Sequence, residues 1–353
     1  MNKRIEYLDI AKGIGILFVV LGHNHIKDEY PIVYQVVYSF HMPFFFLLSG
    51  LFFKPEYNFA ELARRRFHSL LRPFIAYMVI VYAASIFFTK IDLPTIFSRI
   101  AKALYAGPST LEWVPLWFLP HLFLVNLVAF VLVRFVYDRI PFLWLRLVLL
   151  MGMLWLGATT LATFLDFKFS IFNRPFAFYG LPWSADLLLV TTAFFMLGYE
   201  LRRTVLDNPA RMRYLGWAAL AAAVLFVGLH IFYDTTIDFY IRSYGPVIVS
   251  TLEALSGSVL ILATAKGLEN GPGLVSNPLK YLGASSIVLL IFHYVPQEFL
   301  YGKLIDLHLG VLPASLISYC AGVLVPMLLY AWVIRPNQWL SGWFGMSSSG
   351  KVS

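Results

Sequence analysis

The chain has 353 residues, of which 59% are hydrophobic and 13% charged, about half the charged share of an ordinary soluble domain, roughly 25%. A water-soluble globule of this size is excluded, because it would lack the polar groups to cover its surface; an all-α polytopic membrane bundle is the fold class that fits. The single cysteine, Cys320, excludes an intrachain disulfide and a cysteine-rich metal site, and the net charge of +8 is read as membrane topology rather than nucleic-acid binding.

Apolar runs of about 17–25 residues, the length that crosses a bilayer core of about 30 Å, give ten predicted spans. Their limits are 8–25, 34–53, 73–89, 115–135, 142–163, 184–201, 214–233, 246–265, 281–299 and 312–334. Asp9 and Lys12 interrupt the approach to the first run, and no small-residue cleavage site follows it. A retained helix is therefore expected there, not a secretory signal peptide. With the N-terminus inside, 19 of the 27 lysines and arginines fall on the inner side and 8 outside, the asymmetry expected of cytoplasmic loops. Both termini are predicted to be cytoplasmic, with residues 1–340 forming one membrane domain in the inner (cell) membrane and 341–353 a disordered tail. Segment 90–114 carries apolar residues at helical spacing and suits the outer interface. Segment 164–183 is rich in Phe, Tyr, Trp and Pro and suits either an aromatic belt or a sugar platform.

Ionisable groups inside spans are costly and mark function by default. The first span carries Asp9, Lys12 and His23. Asp9 and Lys12 lie three apart and share a face. Lys12 and His23 lie eleven apart, three turns, so they point the same way about 16 Å apart. Gly13, Gly15 and Gly22 between and beside them permit close approach by a neighbouring helix or ligand. Snorkelling of Lys12 to the inner headgroups is the competing reading of that residue. The second span contains His41 just before Met42-Pro43, where proline is expected to bend or open the helix. The fourth carries Glu112, Trp117, His121 and Asn126, and the ninth Ser285, Ser286, His293, Gln297 and Glu298.

Tyr7-Leu-Asp9-Ile-Ala-Lys12-Gly followed by His23-Asn24, then FHMPFFFLLSGLFF, LWFLPHLF and YLGASSIVLLIFHY, together resemble the membrane acyltransferase-3 family over about residues 4–334. The chain is most similar to the branch named for fucose 4-O-acetylase. Many members carry arginine where this chain has Lys12, which keeps the charge but loses the bidentate fork. The resemblance implies O-acylation of extracytoplasmic carbohydrate from acyl-CoA, with acetyl-CoA as the expected donor. The expected partners are the donor, a polysaccharide or lipid-linked glycan acceptor, and membrane lipid.

A hydroxyl needs a base to become a nucleophile, and His23 is assigned that role. Asp9 sits too far along the same helix to orient it, which leaves Asn24, His41 or His293. Freed backbone amides or Trp117 are the candidate oxyanion donors, and Glu112, Trp117, His121, Ser285 and His293 the candidate acceptor contacts. The basic group Arg64, Arg65, Arg66 and Arg72, with Lys12, is expected to meet the anionic end of coenzyme A; positive-inside anchoring explains these arginines equally well. The rival function is a proton-coupled secondary transporter or flippase, against which stands the lack of a detectable repeat.

Overall fold

The computed structural model describes residues 5–89, 93–107, 110–111, 113–164, 167–171, 174–178, 180–205 and 214–345. In chain order the first helices are α1 (Glu6–Gly22), α2 (Ile26–Glu29), α3 (Pro31–Leu51) and α4 (Phe59–Arg66). A π turn (Phe67–Leu71) leads into α5 (Arg72–Thr89), followed by α6 (Leu93–Tyr105), a 3₁₀ turn (Val114–Trp117), α7 (Phe118–Phe135) and α8 (Leu143–Thr160). A short hairpin, β1 (Phe167–Ile171) and β2 (Arg174–Phe178), and the turn Pro182–Leu187 precede α9 (Leu188–Val205) and α10 (Leu215–Phe232). Two-residue strands β3 (Ile237–Asp238) and β4 (Ser243–Tyr244) come before α11 (Val247–Leu268), α12 (Gly273–Ala284) and α13 (Ser286–Phe292). The chain then forms α14 (Tyr294–Asp306), α15 (Val311–Leu329) and α16 (Gln338–Trp343). The protein is all-α, as its composition requires.

Among the described residues seven helices are long and apolar enough to cross a bilayer, or eight if α12 and α13 count as one bent span. Ten spans were expected. The first helix falls short because it has only 17 residues and includes Glu6, Asp9 and Lys12. The ninth expected span, 281–299, is not one helix: α12 and α13 meet at 68°. Ser285 sits at that break and turns its hydroxyl back onto the Tyr281 carbonyl at 2.7 Å, a bond that competes with the helical ladder and bends it. The expected opening at Pro43 does not occur, since α3 continues through it. Segment 90–114 does contain a helix, α6. Residues 341–343, expected in the tail, belong to α16: Asn337 caps it by accepting from the Trp339 and Leu340 amides at 3.0 and 3.1 Å, and the Ser341 hydroxyl donates to Ile334 at 2.8 Å; residues 346–353 lie outside the described residues.

The chain divides into two compact units. One comprises Met1–Phe52, Phe194–Asp238 and Tyr244–Val333, and α1 is its central helix, touched by α3, α11, α12, α13 and α15. Glycine makes that possible. A Cβ on Gly13 would enter the Leu279 backbone, and one on Gly283 the Asp9 backbone, so α1 and α12 cross carbonyl to Cα. The α3–α9 contact repeats the device at Gly50 and Gly198, which abut the backbones of Phe195 and Leu47. In lipid there is little hydrophobic drive between helices, and close backbone approach supplies the packing instead.

The other unit comprises Phe53–Ala193, Phe239–Ser243 and Ile334–Ser353. Asn58 starts α4 by accepting the Glu61 amide at 2.8 Å, the Asn-x-x-Glu spacing of a capping box. Phe59 of α4 meets Phe130 of α7 at 5.7 Å between ring centres, and Gly157 lets α8 close on Val190.

Candidate functional site

Helix α1 ends at Gly22, and His23 is the residue just beyond it. Terminal carbonyls lack partners within their own helix; here the His23 and Asn24 amides meet those of Val19 and Leu21, and neighbouring side chains meet others near the end of α1. Lys27 and the Tyr38 hydroxyl donate to the Gly22 carbonyl at 2.9 and 3.1 Å. Gln297 donates to Val20 at 3.3 Å and Tyr319 to Leu17 at 3.3 Å. Four elements thus fix the end of α1 and so the position of His23.

The His23 ring is half-buried and makes no side-chain hydrogen bond among the described residues. It faces His293 at 5.3 Å and the edge of Tyr294 at 6.1 Å, centre to centre. His293 and His41 are both buried, and each turns Nδ1 onto a carbonyl one turn back. His293 donates to Leu289 at 2.8 Å and Leu290 at 3.1 Å, and His41 to Val37 at 2.7 Å. A ring nitrogen that faces a carbonyl must carry the hydrogen, so in both neutral rings Nε2 holds the lone pair. Asn24 has other work. Its amide donates to the Ser315 carbonyl at 3.0 Å and the Ser318 hydroxyl at 3.2 Å, and its oxygen accepts the Ile26 amide at 2.9 Å. It ties the loop after α1 to α15 and does not orient His23.

Three turns back along α1, Lys12 is half-buried with Nζ 4.2 Å from the centre of the Phe52 ring. Asp9 is buried. Ser285, expected to contact substrate, is engaged with Tyr281 and with the Met327 sulfur at 3.4 Å.

In the second unit the four arginines have different surroundings. Arg64 is exposed. Arg65 is clamped by Glu61 at 2.9–3.0 Å and lies over Tyr57. The Arg66 Nε is buried without a partner among the described residues, and burial pushes its guanidinium below the ordinary value. Arg72 lies 4.8 Å from the centre of the Trp343 ring. Trp117 is buried beside His121, 5.5 Å between ring centres, and its indole makes no hydrogen bond among the described residues. His121 has both nitrogens taken, by the Trp183 carbonyl at 3.0 Å and the Thr191 hydroxyl at 2.9 Å; it braces the turn before α9 rather than waiting for substrate. Glu112 lies outside the described residues.

Two buried polar groups escaped the sequence reading. Arg242 donates to both Asp186 oxygens at 2.8 and 3.2 Å, with the two side chains 2% and 0% exposed. Trp183, Ser184 and Arg242 around this pair all have φ near +55°, a left-handed conformation that costs such residues about 1–3 kcal/mol each. The ion pair over-determines that strained turn. Asp186→Ala, which strands a buried guanidinium, should cost about 3–5 kcal/mol and lower the thermal midpoint of purified protein; an unchanged midpoint would refute this role. The second group is Glu253, fully buried, which accepts from His230 Nδ1 at 2.8 Å and from the Thr235 hydroxyl. A carboxylate within an apolar run was the available signal; its partners lie on another helix and in a loop, and no spacing points to them.

Comparison with known proteins adds the identity of the whole. No curated protein and no solved structure matches the chain. The model of an acyltransferase domain matches residues 5–331, nearly the full length and every segment that surrounds His23. The chain belongs to the acyltransferase-3 family of membrane enzymes.

Proposed function

We propose that the protein moves an acyl group, acetyl in the first instance, from cytoplasmic acyl-CoA to a hydroxyl of a surface polysaccharide or lipid-linked glycan. Membership of an acyltransferase family sets the reaction class. The observation that carries the finer reading is His23: a half-buried imidazole with no side-chain hydrogen bond among the described residues, at a helix end held by four side-chain contacts. A ring in that state is available to a reacting hydroxyl.

In this mechanism the free nitrogen of His23 takes the proton of the acceptor hydroxyl as its oxygen bonds to the thioester carbonyl carbon. The tetrahedral oxyanion collapses, the C–S bond breaks, and His23 returns the proton to the departing thiolate. Protons balance and no covalent enzyme intermediate is needed. In the unit that holds His23, Lys12 is the proposed contact for the phosphates of the donor. The proposed setting is the inner membrane, with both termini and the donor on the cytoplasmic side.

The bent α12–α13 pair supports a second reading, since transporters build substrate sites at such breaks. Membranes given labelled acetyl-CoA and glycan acceptor distinguish the two. Label should enter the glycan only with the protein present, and surface glycans from cells lacking it should lose one acyl mass. Uptake of glycan into sealed vesicles without acyl transfer would overturn the enzyme reading.

A further inference from the structure

We infer that His293 is the positioning residue of this reaction: its Nε2 accepts the ring N–H of His23, which leaves the other His23 nitrogen as the base. The inference rests on His23 being that base.

The chain breaks between α13 and α14 at His293, which folds the imidazole back on its own helix. With Nδ1–H committed to Leu289 and Leu290, the neutral ring has no hydrogen left for Nε2. That nitrogen is buried, on a residue with no exposure, and has no hydrogen-bond partner among the described residues. An unsatisfied buried acceptor costs about 1–3 kcal/mol, and such groups call for an explanation. The neighbouring His23 ring is the group that can satisfy it, at 5.3 Å between centres and a 46° tilt.

Each rival orienting group fails on its own geometry. Asn24 directs both its amide and its oxygen elsewhere. His41 is locked in the same tautomer as His293, but its ring abuts Tyr38 at 4.8 Å. Neither His41 nor His293 can donate to His23 while neutral, so the hydrogen in a His23–His293 contact must be on His23. The base nitrogen is then the one facing away from His293. A neutral imidazole in this role avoids the cost of an uncompensated carboxylate in the membrane.

The test is steady-state transfer from labelled acetyl-CoA in membranes normalised for protein amount, with kcat, both KM values and the kcat–pH profile recorded. His293→Phe keeps a ring but removes the acceptor; kcat should fall about 10²-fold or more, the scale of a mispositioned general base, with both KM values within about 2-fold of the parent. The acid limb of the profile should move. His293→Gln, whose carbonyl can accept the same hydrogen, should recover about 10-fold of the loss, on the same scale. If His293→Phe fails to accumulate, His293→Met against His293→Gln makes the same comparison. Near-parental kcat with an unmoved profile in His293→Phe, or Gln no better than Phe or Met, would overturn the inference. Should His23→Ala itself transfer normally, the underlying choice of base has failed; if His23→Ala is dead while His293→Phe is active, only the positioning role has failed.

Discussion

His23→Ala should reduce acyl transfer by about 10²–10⁴-fold, the range a positioned general base supplies, while the protein accumulates normally. Both halves of that expectation follow from the surroundings of one ring. His23 lies just past the last helical residue, is half-buried and makes no side-chain hydrogen bond among the described residues. Its removal therefore takes away only the contact inferred with His293, and the end of α1 stays fixed through Gly22, Val20 and Leu17. Expression and thermal midpoint should match the parent within error. Transfer close to the parental rate would remove His23 from catalysis.

The second large effect is on folding. Gly283→Val should leave little folded protein, because the added carbons would occupy the space of the Asp9 carbonyl and the Gly13 amide. A rotamer change cannot relieve a clash with backbone, so α1 and α12 would have to part. Overpacking a core costs about 1–3 kcal/mol where side chains can shift, and more is expected where they cannot. α1 is the hub of its unit, so the damage spreads to α3, α11, α13 and α15. Each 1.4 kcal/mol lost lowers the folded-to-unfolded ratio about ten-fold, and size-exclusion profiles of detergent extracts should show the monodisperse peak giving way to aggregate. Gly228→Val on α10 is the matched control, since a Cβ there meets nothing within 4 Å. Equal peaks for the two variants would sink the packing argument.

Gly13 and Gly283 also mark how far the sequence could be read. Three glycines along α1 announced close packing, and two of them meet side chains while Gly13 meets a backbone. The reciprocal Gly283 carries no local sign of its importance. The broken ninth span went unread for a related reason: YLGASSIVLLIFHY is apolar enough on average to read as one run, and hydropathy does not report the hydroxyl of Ser285 turning back to bend the chain. His121 and Asn24 were legible as polar residues in apolar runs. Whether each serves substrate or braces a turn depended on what lay opposite, Trp183 and Thr191 in one case, Ser315 and Ser318 in the other.

Composition and the spacing of apolar runs, with four ordered motifs, were enough to determine a helical membrane protein of an acyltransferase family and to single out His23, because bilayer thickness and helical pitch act on residues near one another in the chain. The tautomer of His293, the pairing of Arg242 with Asp186 and the crossing of α1 with α12 were decided only by the tertiary structure. The ion pair joins groups 56 residues apart, the helix crossing joins Gly283 to Asp9, and the tautomer depends on a break in a helix; such contacts arise from the summed packing of whole helices, which no stretch of sequence contains.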